Sequence, residues 1–487
     1  MSDHTGPPYL EEIAEYLRRK GVDAYLVGGY VRDLLLGRKT ADVDIAAPDA
    51  TGLAREISRV FNGTFVLLDE AHRISRVVMP WREGDGGEFH LDLSDLRGDI
   101  EQDLAQRDFT INAMAVSLKD ALEDRSCLTV IDPWGGRKDL DQRSVRALNE
   151  AVFRADALRL LRAVRLAAEL GLRIDEGTET LIQRDSRLMS GVSGERVREE
   201  LFRLLALPGA ARTLNYLDRL SLLTAIIPEL VPAKGVEQPI EHHWDVFQHC
   251  IQTVGAVEGL LGESPWEYGG KDIIDAAPVF TDCASYFREE IGYGSSRLTL
   301  LKMAGLLHDI AKPQTKAVDE TGRTRFLGHP VLGAETAGAI LERLRCSNRE
   351  IKLVTTVVKY HLRPGQLSQE GMPTRRAIYR YFRDVEGAGI DTIYLCMADF
   401  LASRGPEIDS GPWREFTGLV GYTLSHHFEV EQTRPLKLLD GNDLMRHFGL
   451  KPGPELGSLL EQVKEAQAAG EIQSREEALE LVSRILA

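Results

Sequence analysis

Residues 26–45 read LVGGYVRDLLLGRKTADVDI, and they decide how the N-terminal part of the chain is interpreted. The pair Gly28–Gly29 lies between a predicted strand and a predicted helix carrying Arg32, where backbone N–H groups can approach a phosphate. Asp42 and Asp44 are two positions apart in the next predicted strand, so both carboxylates point to one face. Mg²⁺ takes such oxygen ligands and completes its shell with water and substrate phosphates. The stretch therefore predicts a two-metal site beside a phosphate cradle.

A second polar cluster, Arg107–Ala113 (RDFTINA), offers a guanidinium, a carboxylate and an amide. Arg107 suits a triphosphate, while Asp108 and Asn112 could bond ribose hydroxyls. The same segment is also typical of a helix start that Asp108 caps. Asp92, in FHLDLSD, is either a third metal ligand or a surface residue of its strand.

The pattern of apolar residues changes along the chain. From residue 9 to about 120, short apolar strands alternate with helices, which predicts an α/β head with a mixed sheet. From about 150 onward the pattern is helical, apart from the polar, glycine-containing stretch 262–297, which we predict to be a loop. Ser474 and Glu477 have capping-box spacing ahead of a last helix. The predicted fold class is α+β and multidomain, with a mixed-sheet head and an elongated all-α body.

The composition is that of a soluble protein: 43% of the 487 residues are hydrophobic and 28% are charged. We expect no membrane partner, because no apolar run approaches about 18 residues, and the N-terminus lacks a signal-peptide pattern. The net charge of −16 argues against sequence-blind wrapping of nucleic acid but permits a local basic groove. The cysteines are scattered and form no CxxC, which indicates a reducing, cytoplasmic setting without structural zinc: Cys127, Cys250, Cys283, Cys346 and Cys396.

Several blocks occur in a recognisable order: GGYVRDLLLGRKTADVDI, RDFTINAMA, DPWGGRKDL and DALRLLRAVRLAAELGL, with GNDLMRHFGLKPGPELGSLLEQVKEAQAAGEI near the C-terminus. Together they resemble bacterial tRNA nucleotidyltransferases and poly(A) polymerases of the DNA polymerase β-like superfamily. The resemblance implies that Asp42 and Asp44 are catalytic and hold Mg²⁺. It also implies that Gly28, Gly29 and Arg32 contact the triphosphate. Finally, it implies that the incoming nucleotide is contacted by Arg107, Asp108 and Asn112.

The family's base-selecting motif is Glu-Asp-x-x-Arg, and here Ala155 replaces the glutamate. Asp156 and Arg159 keep their places, and we expect both on one helix face, where they could present a Watson–Crick-like edge to a base. Arg162 and Arg165 continue the spacing as further nucleotide-binding candidates. Without this resemblance, arginines spaced in this way are typical of a solvent-exposed helix face, or of side chains whose aliphatic parts pack against apolar residues.

The resemblance implies a transfer reaction in which a tRNA 3′-hydroxyl attacks CTP, with ATP as a further candidate substrate, and pyrophosphate is released. The segment after the Asp42–Asp44 strand lacks the basic RRFRLxH pattern of poly(A) polymerases, which favours tRNA. The link LRGDIEQDLAQ is short, as in members that add only two cytidines. We therefore rank CC addition above CCA addition, with A-only addition third and poly(A) synthesis as the alternative. We expect the helical body and tail to bind the tRNA acceptor arm and 3′ end by shape.

A second set of residues matches the His…His-Asp…Asp order of the HD phosphohydrolase superfamily. Imidazoles and carboxylates form sites for divalent transition metals, or Mg²⁺, that activate water at a phosphate. We therefore predict a metal site and a possible phosphatase or 2′,3′-cyclic phosphodiesterase activity. The predicted ligands are His249, His308, Asp309 and Asp399, with His329 and His361 as possible additional ligands.

His242 and His243 precede this set, and we expect both to be exposed to solvent rather than ligating. Hydrolysis by the HD region, with a head that only binds RNA, is the competing interpretation of the whole chain. The predicted domains are a nucleotidyltransferase head (1–150), a helical neck (151–238), an HD domain (239–405) and a helical tail (406–487).

Overall fold

The computed structural model describes residues 9–70, 73–80, 88–123, 129–292, 294–367, 371–433 and 436–487. The chain divides into two compact units, Met1–Val192 and Ser193–Ala487. Cys127 lies outside the described residues, and the remaining cysteines carry free thiols: Cys250, Cys283, Cys346 and Cys396.

The first unit is built on a mixed sheet, as the sequence predicts. Its strands are β1 (Tyr25–Val27), β2 (Asp42–Ala47), β3 (Thr64–Asp69), β4 (Ile74–Pro80), β5 (Glu88–Asp95), β6 (Ala115–Ser117) and β7 (Val130–Ile131). They are ordered β3–β4–β5–β2–β1–β6–β7 across the sheet. The pair β2–β5 is parallel and the other neighbouring pairs are antiparallel.

Helices follow and cover these strands. They are α1 (Leu10–Arg19), α2 (Gly28–Leu35), α3 (Ala50–Val60), α4 (Ile100–Leu104), α5 (Leu118–Glu123), α6 (Gly136–Asp141), α7 (Val152–Ala155), α8 (Arg159–Leu170) and α9 (Glu176–Asp185). The short parallel pair β8 (Ser144–Val145) and β9 (Arg173–Ile174) lies among the last of them. Helix α3 shows why such elements pack: Leu53, Ala54 and Ile57 share one face, are buried, and lie against β4 and β5.

The second unit is mainly helical. Its helices are α10 (Gly194–Ala206), α11 (Ala210–Arg219), α12 (Leu223–Ile226), α13 (Val246–Leu260), α14 (Lys271–Asp275), α15 (Cys283–Arg288), α16 (Arg297–Leu307), α17 (Lys312–Thr315), α18 (His329–Arg343), α19 (Asn348–Tyr360), α20 (Arg363–Leu367), α21 (Arg375–Asp384), α22 (Gly389–Arg404), α23 (Ser410–Thr433), α24 (Gly441–Phe448), α25 (Pro454–Ala468) and α26 (Arg475–Leu486). Two hairpins interrupt them, β10 (Glu290–Gly292) with β11 (Ser295–Ser296), and β12 (Lys316–Val318) with β13 (Thr324–Phe326).

Helices α13, α16 and α22 form the centre of the second unit. Each is buried on nearly all sides, and each packs against the other two. A helix that is apolar around its whole circumference is expected in the core. Polar side chains on these helices therefore lie in an apolar interior, where they need partners of their own.

The prediction of a loop over 262–297 is wrong. This stretch contains α14, α15 and the hairpin β10–β11. Phe287 is buried, and its ring lies 4.9 Å from that of Tyr394 on α22. The short apolar segments are separated by polar and glycine residues, so periodicity over a long window does not reveal them.

The tail folds as predicted at its last helix. Ser474 and Glu477 form a reciprocal capping box at the start of α26. The apolar faces of α24, α25 and α26 share one core, whose buried members include Leu444, Val463 and Val482. Over the described ranges, no helix is both long enough and apolar enough to cross a bilayer.

Candidate functional site

Asp42, Asp44 and Asp92 point to one face of the sheet, and we call these three residues the carboxylate face. Strands β2 and β5 are parallel neighbours in a register that places Asp44 opposite Asp92 and Asp42 opposite His90. The Nδ1 atom of His90 lies 2.9 Å from Oδ1 of Asp42. Because side chains alternate along a strand, positions 42 and 44 share a face whatever their neighbours are.

The charges of the carboxylate face are suited to a divalent cation. Burial raises the pKa of Asp44 to about 6, and Asp92 and Asp42 act in the same direction, whereas Arg107 opposes them. A buried carboxylate whose pKa is raised in this way is stabilised in its charged form when a cation binds beside it. Hard oxygen donors on one face fit Mg²⁺, with Asp42 and Asp44 as the residues that would hold it.

The glycine turn lies next to the carboxylate face. Gly28 has φ +68°, a left-handed conformation that glycine adopts readily, and it begins α2. A Cβ atom at position 28 would lie 2.7 Å from Nη1 of Arg107 and 3.4 Å from Oδ2 of Asp44. Arg107 in turn donates through Nε and Nη2 to Asp103, at 3.3 and 3.1 Å. The guanidinium is therefore fixed above the turn, beside Asp44.

A chain of hydrogen bonds links several predicted nucleotide-binding residues. Arg32 donates to both oxygens of Asp33, at 3.0 and 2.9 Å, and through Nη1 to Oδ1 of Asn112, at 2.8 Å. Asn112 donates to Oδ1 of Asp108 at 3.0 Å, and Arg162 approaches Oδ2 of Asp108 at 3.3 Å. These side chains come from α2, from the RDFTINA segment and from α8, so tertiary packing brings them together.

The alternative role of Asp108, capping a helix start, is wrong, because Phe109 is the N-cap of the turn that follows and no side chain caps it. Asp108 instead bonds the neighbouring backbone. Its Oδ1 atom accepts a hydrogen bond from the N–H of Phe109, and a single 3₁₀ turn follows over Thr110–Asn112. Burial alone would raise the pKa of Asp108, but Arg162 and Asn112 lower it overall. The carboxylate of Asp108 therefore stays ionised and acts as the hydrogen-bond acceptor at the centre of this chain of hydrogen bonds.

The expectation that Asp156 and Arg159 share a helix face is wrong. Helix α7 ends at Ala155, and Asp156 has extended backbone with φ −151°. Its Oδ1 atom accepts from the N–H of Leu158, and α8 begins at Arg159. An aspartate that bonds the backbone two residues ahead competes with the helix, which explains the break.

Arg159 and Arg165 lie in different surroundings from Arg162. Arg159 donates to the backbone carbonyl of Gln106 at 3.1 Å and to that of Val152 at 3.5 Å. Arg165 donates to Glu169 on its own helix at 2.6 Å. The spacing of three residues predicted a common row. Arg162 contacts Asp108 directly, and the charge of Arg159 also lowers the pKa of Asp108.

Two charged residues near the carboxylate face were missed by the sequence analysis. Arg76 on β4 stands opposite Asp92 and donates to both of its oxygens, at 2.7 and 2.8 Å. Asp103 holds Arg107, four residues further along the chain. The spacing of Asp103 and Arg107 is visible in the sequence, whereas the Arg76–Asp92 contact depends on the register of two strands.

The second site brings together the full set predicted from the HD pattern, which we call the histidine–aspartate cluster: His249, His308, Asp309, His329, His361 and Asp399. It lies around α13, α16 and α22 and the starts or ends of α18 and α19. Nε2 of His249 lies 2.9 Å from Asp399 and 3.4 Å from Oδ2 of Asp309. Oδ1 of Asp309 lies 3.2 Å from Nε2 of His329 and 3.8 Å from that of His361. Asp309 thus bridges two overlapping groups of candidate ligands.

Backbone carbonyls orient three of these rings. The Nδ1 atoms of His308, His329 and His361 lie 2.8, 2.6 and 2.7 Å from the carbonyl oxygens of Gly305, Phe326 and Val358. A carbonyl only accepts, so Nδ1 carries a proton in each ring, and in a neutral ring Nε2 keeps a free lone pair. His308 differs: burial lowers its pKa, but Asp309 and Asp399 raise it to about 10 overall, so its Nε2 atom must lose a proton before it can bind a metal.

These free lone pairs face the interior of the cluster. Among the described residues, the buried Nε2 atoms of His329 and His361 have no hydrogen-bond partner. Burial lowers the pKa of His361 to about 3, which keeps the ring neutral. Neutral imidazoles beside a bridging carboxylate fit divalent transition metals.

The expectation that His242 is exposed to solvent is wrong. Its ring packs edge-on against His249, with centroids 5.4 Å apart, and burial lowers the pKa of His242 to about 4. His243 is exposed as expected, with Nδ1 3.3 Å from Glu407. Lys312, which the sequence analysis did not single out, lies 2.5 Å from Oδ2 of Asp309.

Comparison with known proteins agrees with this arrangement. Residues 24–146 match the poly A polymerase head domain, and residues 171–234 match a probable RNA- and SrmB-binding site of polymerase A. Residues 280–389 match the HD domain, and residues 423–482 match a putative domain 2 of tRNA nucleotidyltransferase. The fold and the carboxylate face thus define an enzyme of the nucleotidyltransferase class with an HD domain in its helical part.

Full-length relatives identify the family. The chain is 34% identical to an A-adding tRNA nucleotidyltransferase of Deinococcus radiodurans, over 95% of each chain. It is also 34% identical to a CC-adding tRNA nucleotidyltransferase of Thermus thermophilus, over 94% of this chain and 92% of that one. The chain belongs to the tRNA nucleotidyltransferase family. A solved CCA-adding enzyme with CTP shares the fold, with a TM-score of 0.63 at 22% identity, covering 98% of this chain and 94% of that one.

Proposed function

We propose that the protein transfers nucleotides from CTP, with ATP as the second candidate substrate, to the 3′-hydroxyl of tRNA and releases pyrophosphate. The observation that carries the proposal is the position of Asp44, between Asp92 and the glycine turn on one face of the sheet. The relatives with A-adding and CC-adding activity support tRNA as the acceptor. Such a reaction belongs in the cytoplasm, where tRNA is matured.

In this mechanism Asp42 and Asp44 would hold Mg²⁺, which supplies charge stabilisation for in-line displacement at the α-phosphate. Arg107 would bind the triphosphate, because Asp103 fixes its guanidinium above Gly28. The backbone N–H groups at the glycine turn would contribute further donors to the phosphates. Most of the catalysis on this account is positioning and charge stabilisation rather than covalent chemistry.

Sugar and base recognition would come from the hydrogen-bonded chain and from α8. Asp108 and Asn112 would bond the ribose, held in place by Arg32 and Arg162. Arg159 would bond the base. The carbonyls of Gln106 and Val152 fix its guanidinium and take the place of the glutamate that is absent at position 155.

The choice of nucleotide rests on the segment between β5 and Arg107. This segment contains only the short helix α4, and a short link of this kind favours addition of the two cytidines. The A-adding and CC-adding relatives are equally similar to this chain, at 34% identity, so the comparison does not order these activities. Transfer to tRNA transcripts lacking the last three nucleotides, or only the last one, tests the ranking. Long adenosine tails on unrelated RNA would instead indicate a poly(A) polymerase.

The histidine–aspartate cluster supports a second proposed activity, metal-dependent hydrolysis of a phosphate ester at an RNA end. The supporting observation is the pair of unpartnered Nε2 atoms that face the bridging carboxylate of Asp309 in the described structure. Release of phosphate, or opening of a 2′,3′-cyclic phosphate, by the wild type but not by Asp309→Ala would support it. Absence of bound metal from the purified protein, with no hydrolysis after metal addition, would refute it.

A further inference from the structure

The last three helices, α24, α25 and α26, pack around an apolar core of their own, and we call residues 436–487 the tail arm. The buried members of this core include Leu459, Val463 and Ala478. Every described apolar side chain that belongs to the core or packs against it lies between residues 438 and 482. The apolar groups of the tail arm are thus used within the arm itself, and its attachment to the rest of the second unit depends on other contacts.

Helix α21 is anchored in the rest of the second unit by its apolar face. Ile378 and Tyr381 are buried, and the hydroxyl of Tyr381 donates to the carbonyl of Gly389 at the start of α22, at 2.7 Å. The remaining face of α21 is rich in arginine and lies against α25 of the tail arm. On this face Tyr379 donates through its hydroxyl to Oε1 of Glu461 at 2.9 Å. The contact between the two parts is therefore largely polar.

Ion pairs connect the arginines of α21 to the tail arm. Arg380 donates through Nη2 to Oε1 of Glu465 at 2.6 Å. Arg376 donates through Nη2 to Oε2 of Glu471 at 2.6 Å, and its Nε atom lies 3.3 Å from Oε1 of Glu465. Nη1 of Arg383 lies 3.6 Å from Oε2 of Glu465. Three guanidinium groups therefore share one carboxylate.

The shared carboxylate is shielded from solvent, whereas the arginines around it are not. The side chain of Glu465 is 9% exposed, and those of Arg376, Arg380 and Arg383 are 42, 50 and 37% exposed. The hydrogen bond from Arg380 lowers the pKa of Glu465, so the carboxylate stays ionised. Loss of an arginine would leave this charge without a counter-charge in a shielded place, which is unfavourable. Dissolved ions reach the exposed arginines and screen the ion pairs.

We propose that the α21–α25 interface is an electrostatic latch, which holds a separately packed tail arm in one position and releases it when its charges are screened or removed. The latch can open without unfolding either side, because each side keeps its own apolar contacts. The closed latch presents the tail arm in a fixed orientation, so a bound RNA does not have to immobilise it. This consequence for tRNA rests on the proposed function, whereas the opening of the latch does not.

The first test measures the opening of the latch in the full-length protein by small-angle X-ray scattering. We expect the radius of gyration of Arg380→Glu to exceed that of the wild type, because the substitution places a second carboxylate beside Glu465. The wild type should approach the value of this variant as the salt concentration rises from about 0.1 to about 1 M, over which the screening length falls from about 10 to about 3 Å. The salt series needs no substitution, so its outcome does not depend on the folding of a variant.

Arg375→Glu is the matched control for this measurement. It makes the same change of charge on the same helix. The guanidinium of Arg375 lies beside Gly470, with no ion pair in the described part of the chain. Its radius of gyration should equal that of the wild type at low salt.

The second test separates a latch from direct contacts between the arginines and RNA. Glu465→Gln removes a negative charge, and direct electrostatic attraction alone would make tRNA bind more tightly. The latch predicts the opposite, a dissociation constant for truncated tRNA that is about fivefold higher, measured by fluorescence anisotropy at fixed low salt. The dissociation constant for CTP should change by less than about twofold. The double variant Arg380→Met/Glu465→Gln should bind tRNA no more weakly than either single variant, because the two residues act as one unit.

Three results would overturn the inference: a radius of gyration in Arg380→Glu equal to that of the wild type, a wild-type radius that does not respond to salt, or tighter binding of tRNA by Glu465→Gln. A wild type that binds no tRNA and transfers no nucleotide would instead refute the proposed function, while the scattering measurement would still decide whether the latch opens.

Discussion

Nη1 of Arg107 lies so close to Gly28 that a Cβ atom at position 28 would be 2.7 Å away from it. This contact joins the RDFTINA segment to the turn at the end of β1. It depends on glycine for two independent reasons, the space and the left-handed backbone with φ +68°. The contact makes the turn the most easily tested part of the proposed nucleotide site.

Gly28→Ala should lower both stability and nucleotide binding. The left-handed conformation costs a non-glycine residue roughly 1–2 kcal/mol, and the added methyl must displace Arg107. We expect transfer activity to fall about tenfold or more. The matched control is Gly29→Ala, because a Cβ there meets Arg32 and Asp44 only at an ordinary 3.5 Å. Equal losses in the two variants, measured by CMP incorporation and thermal unfolding, would contradict this account of the turn.

Asp103→Asn tests whether Arg107 is positioned by its partner. The substitution keeps the shape of the side chain but removes the charge that holds Nε and Nη2 of Arg107. We expect KM for CTP to rise by roughly fivefold, with a smaller change in kcat, since a bond to a charged group is weakened. Asp99→Asn is a suitable control, because Asp99 caps the same helix α4 without contacting Arg107. An unchanged KM in Asp103→Asn would show that Arg107 needs no anchor.

The hydrogen bonds that meet at Asp108 predict energetic coupling between Asn112 and Arg162. Each donates to a different oxygen of the same carboxylate. In a double-mutant cycle with alanine, the dissociation constants for CTP should give a coupling free energy of about 0.5–2 kcal/mol. The pair Asn112 and Arg165 is the control, since Arg165 donates to Glu169. Additivity of Asn112 and Arg162 would mean that they do not act through Asp108.

The histidine–aspartate cluster predicts two metal ions per chain with a shared carboxylate. Asp309→Ala should remove most of the bound metal, because Asp309 belongs to two of the three groups of candidate ligands found among the described residues. His329→Ala should leave about one equivalent, since it removes a ligand on only one side of the bridge. Elemental analysis after metal loading measures both, with the exposed His243→Ala as control. Full metal content in Asp309→Ala would contradict the bridging arrangement.

The tail should show acid-dependent stability through Asp443. Arg475 donates to both oxygens of Asp443, at 3.0 and 2.5 Å, and this holds the pKa of the carboxyl well below its usual range. A lowered folded-state pKa contributes stability that is present above the unfolded value of about 4 and lost as the pH falls through the folded value. Asp443→Asn should therefore lower the melting temperature at pH 7 and have less effect near pH 3. The same difference at both pH values would contradict this.

Local patterns in the sequence predicted the parts of the site that depend on chain geometry alone. The two-residue period of a strand places Asp42 and Asp44 on one face, and the capping-box spacing identified the start of α26. The order of the HD ligands predicted a cluster that the fold brings together from distant helices. Such features need only the spacing of residue types, which the sequence contains.

Features that depend on non-local packing were not predicted. The Arg76–Asp92 ion pair requires the register between β4 and β5, which single-sequence patterns do not specify. The helix break at Asp156 comes from a side chain bonding its own backbone, in competition with a strong helical pattern. His242 is half-buried and its ring packs against that of His249, whereas the sequence suggested exposure to solvent. Tertiary structure thus determines the ion pair and the surroundings of His242, whereas a local side-chain hydrogen bond determines the helix break at Asp156.

The central claim is that the carboxylate face, with its glycine turn, transfers nucleotides to tRNA. The most direct measurement incubates purified protein and Mg²⁺ with a tRNA transcript lacking its last three nucleotides, using each labelled nucleoside triphosphate in turn. We predict that the wild type adds cytidine. Asp44→Asn keeps the size of the side chain, and its melting curve should show that it is folded. Its rate of nucleotide incorporation should be lower than that of the wild type by at least about 100-fold. Equal incorporation by Asp44→Asn, or no incorporation of any nucleotide by the wild type, would contradict the account.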